Sequence, residues 1–216
     1  MKKLISPSLL AADFGNLKAA CEMINNSEAQ WLHIDVMDGT FVPNISFGFP
    51  IIEAAKRYSI KPLDVHLMIV HPEKYISRFA KAGADILTFH YETVENPLEI
   101  IEMIKAEGIK VGITINPDIP VSVLKPYVDK VDLVLIMTVF AGYGGQVFIE
   151  ESYNRIAELK EMISTKNANC LIEVDGGVSE LNAKKLFDNG VNVLVAGSAV
   201  FNASNPIETI HNMLTM

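Results

Sequence analysis

The sequence is short of cysteine, of cations, of tryptophan and of long apolar runs, and most of these shortages exclude a class of protein. Two cysteines, Cys21 and Cys170, stand among 216 residues, each inside an apolar stretch. A secreted chain of this size held by disulfides carries more of them at regular spacings, so a reducing, cytoplasmic setting is expected. Lys and Arg number 18 against 26 Asp and Glu, a formal charge of -8, whereas a protein that grips a nucleic-acid backbone needs a basic face. No nucleic-acid partner is expected, and an anionic ligand must be met by local cations or backbone amides. The longest apolar runs, such as Leu133-Val134-Leu135-Ile136-Met137, fall far short of the roughly 20 residues of a membrane helix. No membrane partner is expected either. Ser6, Pro7 and Ser8 interrupt any apolar core after Lys2 and Lys3, so no export signal is read there. Low-complexity segments, charge blocks and linkers are also missing, which leaves residues 1–216 as one domain.

What is present is a repeat of short apolar runs: Leu4-Ile5, Trp31 to Val36, Leu63 to Ile69, Ile86 to Phe89, Val111 to Ile115, Leu133 to Met137, Leu171 to Val174 and Val193 to Ala196. Their near-continuous hydrophobicity suits a parallel sheet covered by helices. Between them the apolar positions follow helical spacing, as in Leu17/Ala20/Cys21/Ile24, Ile76/Phe79/Ala80 and Ile156/Leu159/Met162/Ile163. Gly83, Gly108 and Gly190 fall where a helix should end before the next strand. A strand, helix and glycine repeat throughout predicts an α/β fold, a compact single-domain (βα)8 TIM barrel, whose usual size is about 250 residues. A doubly wound open sheet is the alternative, weakened because no Gly-x-Gly-x-x-Gly follows the first strand.

In such a barrel the active site lies at the C-terminal ends of the strands, so polar residues that close an apolar run are the candidates. His33, Asp35 and Met37 are two apart on the second run and share a face, while Leu32, Ile34 and Val36 face the helices. Asp64, His66 and Met68 repeat the pattern, Asp175 closes the seventh run and Met137 the sixth. A lone strand histidine is usually a buried imidazole satisfied by a neighbour. Two histidines and two carboxylates at one mouth instead form a ligand set for Zn, Mn, Fe or Co. Three glycine sites, Gly142-Tyr143-Gly144-Gly145, Gly176-Gly177 and Gly197-Ser198, follow runs six, seven and eight. Barrel phosphate sites commonly use the last two of these loops. Trp31 is read as core, His71 and His211 as surface, and His90-Tyr91-Glu92 closes the fourth run without an assigned role.

At these residues the chain resembles the ribulose-phosphate 3-epimerase family along essentially its whole length. The resemblance is carried by Ser6-Pro7-Ser8-Leu9, His33-Ile34-Asp35-Val36-Met37-Asp38-Gly39 with Phe41-Val42-Pro43-Asn44, Leu63-Asp64-Val65-His66-Leu67-Met68, Gly144-Gly145-Gln146 and Glu173-Val174-Asp175-Gly176-Gly177-Val178. It implies a pentose-phosphate-pathway isomerase of carbohydrate metabolism, acting on D-ribulose 5-phosphate and D-xylulose 5-phosphate. It further implies that His33, Asp35, His66 and Asp175 bind one divalent metal and that Asp35 and Asp175 are also the acid/base pair. Ser8 and His66 would touch the substrate, Met37, Met68 and Met137 would line the site, and the three glycine sites would hold the phosphate. A homo-oligomer is also expected.

One departure stands out. Before Gly142 the family usually has a residue followed by proline, and here the chain reads Phe140-Ala141, which predicts a less rigid loop and bears on the size of ketose admitted. The same family's allulose-6-phosphate epimerases are the nearest rival. Decarboxylases and synthases on this barrel carry Asp-x-Lys-x-x-Asp on the third strand, where this chain reads Asp64-Val65-His66-Leu67-Met68-Ile69. A catalytically silent phosphate-binding barrel is the reading of a different class.

Overall fold

The structure, a computed structural model, describes residues 2–166 and 169–216. Eight parallel strands lie in the order β1-β8-β7-β6-β5-β4-β3-β2. They are β1 (Leu4–Pro7), β2 (Leu32–Met37), β3 (Leu63–Met68), β4 (Ile86–His90), β5 (Lys110–Ile115), β6 (Leu133–Met137), β7 (Leu171–Asp175) and β8 (Val193–Ala196). A Ser8–His33 bridge and a bond from the Gln30 N–H to the Ile5 carbonyl draw β1 to β2, so the sheet curls into a nearly closed barrel. The expected runs and the strands agree to within a residue or two at each end, and the TIM barrel is the fold.

Alternation along the strands makes two apolar layers. Leu32, Ile34 and Val36 point outward into the layer shared with the helices, in the same buried cluster as Ile52 and Ala55 of α2 (Phe49–Tyr58). In α1 (Leu17–Asn25) the buried Leu17, Cys21 and Ile24 recur at helical spacing and cover the barrel wall. Burial of each large aliphatic side chain is worth about 1.5–3 kcal/mol, which is why these faces, more than local propensity, hold the helices. The inward layer at the strands' N-terminal end is a separate plug containing Leu4, Trp31, Ile86, Leu133 and Val193.

The remaining helices are α3 (Ile76–Ala82), α4 (Pro97–Ala106), α5 (Ser152–Lys166), α6 (Glu180–Asp188), the four-residue α7 (Ser198–Phe201) and α8 (Pro206–Thr215). Gly83 ends α3 at φ +115°, a left-handed conformation that favours glycine. Helix α6 opens with a reciprocal cap, in which Asn182 accepts from the Ser179 N–H and Ser179 accepts from the Leu181 N–H.

The expected repeat fails between β5 and β6. That segment holds only a short 3-10 turn, Val121–Leu124. Pro117, Pro120 and Pro126 fall within ten residues, and each removes an N–H that a helix would use. Val121, Leu124 and Val128 are nonetheless buried, so the wall is covered without a helix. No helix among the described residues is long and apolar enough to cross a membrane.

Candidate active site

The C-terminal mouth of the barrel opens on a cavity of about 770 Å³. Ser8, Asp35, Met37, Met68, Met137, Asp175, the three glycine sites with Tyr143, and Ser198 all line it. Phe140 and Ala141 lie on its rim. His66 does not line the cavity: it is fully buried, as is His33, and both imidazoles lie behind the carboxylates. Asn44, Gln146, Ser179 and Asn202 also line the cavity although the sequence reading gave them no role. The first two stand inside motifs already singled out.

Ligand atoms of His33, Asp35, His66 and Asp175 all lie within 4.8 Å of one another. The backbone explains the convergence. Parallel register sets Asp35 opposite His66 and His33 opposite Asp64, so residues on one face of β2 and β3 meet across the barrel interior. Asp175 enters from the far side on β7. Two further bonds hold Asp35: Ser8 Oγ donates to its Oδ2, and Ser46 Oγ donates to its backbone carbonyl at 2.6 Å. On the other side, the backbone N–H of Thr138 donates to the Asp175 carbonyl at 2.8 Å.

These residues fit a divalent cation. His33 Nδ1 bonds Asp64 Oδ2 at 2.7 Å, which leaves Nε2 facing the cluster. That Nε2 lies 3.3 Å from Asp35 Oδ1 but is not aligned to bond it, so it is a buried polar atom without a partner. A carboxylate behind a ligand histidine is the usual support of a metal centre. Asp64 also accepts from Ser6 Oγ at 3.1 Å and lies against Glu173, which is fully buried. Burial and the Asp64 charge push Glu173 well above the ordinary carboxylate range, so it is the protonated member of that pair.

The two carboxylates at the cavity floor differ in the same way. Burial opposes a charge on Asp35, but His33 and His66 beside it outweigh burial and hold it well below the ordinary value. Asp175 is pushed up to about 7, by burial first and then by the Asp35 charge. One acid is therefore ionised and the other is poised to hold a proton near neutral pH, the separation that distinguishes a base from an acid. His90 lies behind His66 and is lowered to about 4 by burial. Burial works against the charge of Glu92 too, yet its interactions with His90 and the Asn116 N–H hold it below the ordinary value.

The loop after β6 is well tied. The Ala141 N–H donates to Asn116 Oδ1 at 3.1 Å, a bond that a proline there could not make. Asn44 Nδ2 donates to the Gly142 carbonyl at 3.0 Å, Tyr143 OH to the Pro43 carbonyl at 3.2 Å, and the Gln146 amide to the Phe140 and Tyr143 carbonyls at 2.8 and 2.9 Å. At Gly177, φ is +66° and a Cβ would meet the Phe148 nitrogen at 2.4 Å, so only glycine fits that turn.

Comparison with known proteins agrees with this geometry. Solved structures with the same fold include KGPDC from Streptococcus mutans, at a TM-score of 0.73 and 15% identity, covering 99% of this chain and 96% of that one. Another is 3-hexulose-6-phosphate synthase from Salmonella typhimurium, at 0.69 and 20%, covering 99% and 96%. At these identities the likeness speaks to fold alone. Sequence relatives reach further. The ribulose-phosphate 3-epimerase of Bacillus subtilis is 47% identical over 93% of each chain. That of Synechocystis is 44% identical over 96% of this chain and 91% of its own. The chloroplastic enzyme of Arabidopsis thaliana is 45% identical over 96% of this chain and 74% of its own. A sequence model of the ribulose-phosphate 3 epimerase family matches residues 4–201. With a match of that extent and relatives of that identity, the chain belongs to the ribulose-phosphate 3-epimerase family.

Proposed function

We propose that this chain is a metal-dependent epimerase that interconverts D-ribulose 5-phosphate and D-xylulose 5-phosphate by moving the proton on C3. The observation that carries the reading is the pair of unlike carboxylates, Asp35 and Asp175, at the floor of one cavity with two buried imidazoles behind them. The ionised carboxylate takes the C3 proton, and the electrons of the C–H bond move onto the neighbouring carbonyl to give an enediolate. The protonated one returns a proton to the opposite face of C3, which inverts that carbon. For the reverse reaction the two exchange roles. His33, Asp35, His66 and Asp175 would hold a divalent ion, and as a Lewis acid it would offset the charge that builds on the substrate oxygens, worth several kcal/mol.

Ser8 and the methionines Met37, Met68 and Met137 would close around the reacting carbons, and the buried thioethers limit access of water. Among the described residues, none that lines the cavity is Lys or Arg. The phosphate would therefore be met by backbone amides at Gly144-Gly145, Gly176-Gly177 and Gly197-Ser198. A homo-oligomer is part of the same proposal, and the near-complete exposure of Val147 and Leu181, 88% and 98%, offers apolar surface to bury in it. A cytoplasmic setting suits the two free, buried thiols.

The test is conversion of D-ribulose 5-phosphate, with deuterium uptake at C3, by protein stripped with chelator and then reloaded with Mn, Zn, Fe or Co. Activity that vanishes on stripping and returns with one of these ions is expected. Faster turnover of allulose 6-phosphate would reassign the substrate, and no exchange under any loading would leave a silent barrel.

A further inference from the structure

Behind His66, away from the cavity, runs a line of polar groups that the acid/base pair does not use. His66 Nε2 faces His90 Nε2 at 2.9 Å, with both rings fully buried and their planes 23° apart. His90 Nδ1 faces Glu92 Oε2 at 3.5 Å, within ion-pair reach but not aligned as a hydrogen bond, and neither atom has a hydrogen-bond partner, so each is the other's nearest candidate. The other Glu92 oxygen, Oε1, accepts from the Asn116 N–H at 2.8 Å.

Two facing imidazole nitrogens bond only when one carries a proton and the other a lone pair, so the proton's place on one ring dictates its place on the next. With Glu92 ionised, His90 holds its proton on Nδ1 and presents a lone pair at Nε2. His66 must then supply the proton between the rings from its own Nε2. Its Nδ1, 3.2 Å from Asp35 Oδ1 and 3.9 Å from Asp175 Oδ2, is left with a lone pair facing the ligand cluster. In the opposite polarity His66 carries its proton on Nδ1 and offers a cation nothing. Asp35 by itself favours that second arrangement, because a carboxylate at 3.2 Å attracts the proton to Nδ1. The carboxylate at the far end of the line opposes it.

We propose that Glu92, acting through His90, is a positioning residue that fixes the tautomer of His66 and so prepares the site for a divalent cation. This rests on the metal reading proposed above. Glu92→Gln discriminates best because it keeps the shape and reverses the polarity. Its carbonyl oxygen can keep the Asn116 N–H, which turns the NH2 toward His90 Nδ1. A donor there calls for a lone pair on His90 Nδ1, a proton on its Nε2, and therefore a proton on His66 Nδ1.

The experiment measures Mn and Zn dissociation constants by chelator competition, together with 15N imidazole spectra of the metal-free protein. Glu92→Gln should bind both ions about 10–100-fold more weakly, the usual cost of losing a partner behind a metal ligand. The His66 proton should move from Nε2 to Nδ1, with the thermal midpoint near that of the wild type. Glu92→Ala, which removes more packing but adds no donor, should lose less metal affinity than Glu92→Gln; a purely structural role gives the reverse order, and that order would overturn the proposal. So would a Glu92→Gln protein that binds as tightly as the wild type, or a wild-type His66 already protonated on Nδ1. Should the wild type take up neither ion, the metal reading fails, and the tautomer still decides this one.

Discussion

At one end of the barrel Leu4, Trp31, Leu133, Leu171 and Val193 pack over one another. Four positions further along each of those chain segments, Ser8, Asp35, Met137, Asp175 and Gly197 line the cavity. Four residues of strand span about 13 Å, and an even step keeps both sets on the inward face. Over that distance the interior passes from an apolar plug to a polar chamber with two carboxyl groups at its floor. Because one strand serves both ends, a substitution can be aimed at either without moving the backbone of the other. The plug carries stability, and the mouth carries unfavourable groups, such as the crowded Asp35 and Asp175, that the plug must hold in place.

Substitutions at the two ends should separate these roles, and the largest effect belongs to the mouth. Asp35→Asn and Asp175→Asn should each lower kcat about 10²–10⁴-fold, the usual contribution of a positioned acid or base. Calorimetry should find the metal-free Asp175→Asn protein at least as stable as the wild type, since it loses a carboxyl that burial and Asp35 disfavour. Large destabilisation there would break the comparison. Leu133→Ala at the plug should do the opposite, costing about 2–5 kcal/mol in denaturant unfolding while leaving kcat of the folded fraction nearly unchanged.

A smaller effect should appear in pH. The Asp175 carboxyl is raised to about 7 without metal, so below that pH a cation must displace its proton. Metal affinity should rise with pH between 5 and 7, with protons released on binding, at least one of them from Asp175 on the acid side. Titration calorimetry in buffers of different ionisation enthalpy reads both, and a flat profile from pH 5 to 7 would contradict the raised acid. The least effect is expected at Glu173→Gln, because Gln resembles the protonated acid already there; a loss above about 1 kcal/mol would show Glu173 to be charged.

Much of this was legible in the sequence. Period-two spacing along β2 separated His33, Asp35 and Met37 from the outward Leu32, Ile34 and Val36, and the structure keeps that division. Glycines 83, 108 and 190 each adopt positive φ at a helix end, as their positions suggested. The prolines between β5 and β6 are visible in the sequence too, and they, rather than the repeat around them, decide that this segment has no helix. Roles that need register were harder to see. Asp64 and Glu173 lie on the inward face by the same spacing, yet their contact with His33 depends on how neighbouring strands align. His90 closed a run without a partner, because its partner His66 lies on β3 and becomes adjacent only through strand pairing.

The absence of Lys and Arg from the cavity lining reaches beyond the bound complex. A doubly negative sugar phosphate must approach a chain of charge -8 with no Lys or Arg among the described residues of the cavity lining, so a divalent ion at the floor would be the charge that draws it in. The chain's net charge opposes its approach and the ion favours it, so association of the metal-free protein should quicken with added salt and that of the loaded protein should respond less. On the proposal above, selectivity would then rest on the direction of the amide N–H groups at the glycine sites rather than on side-chain charge.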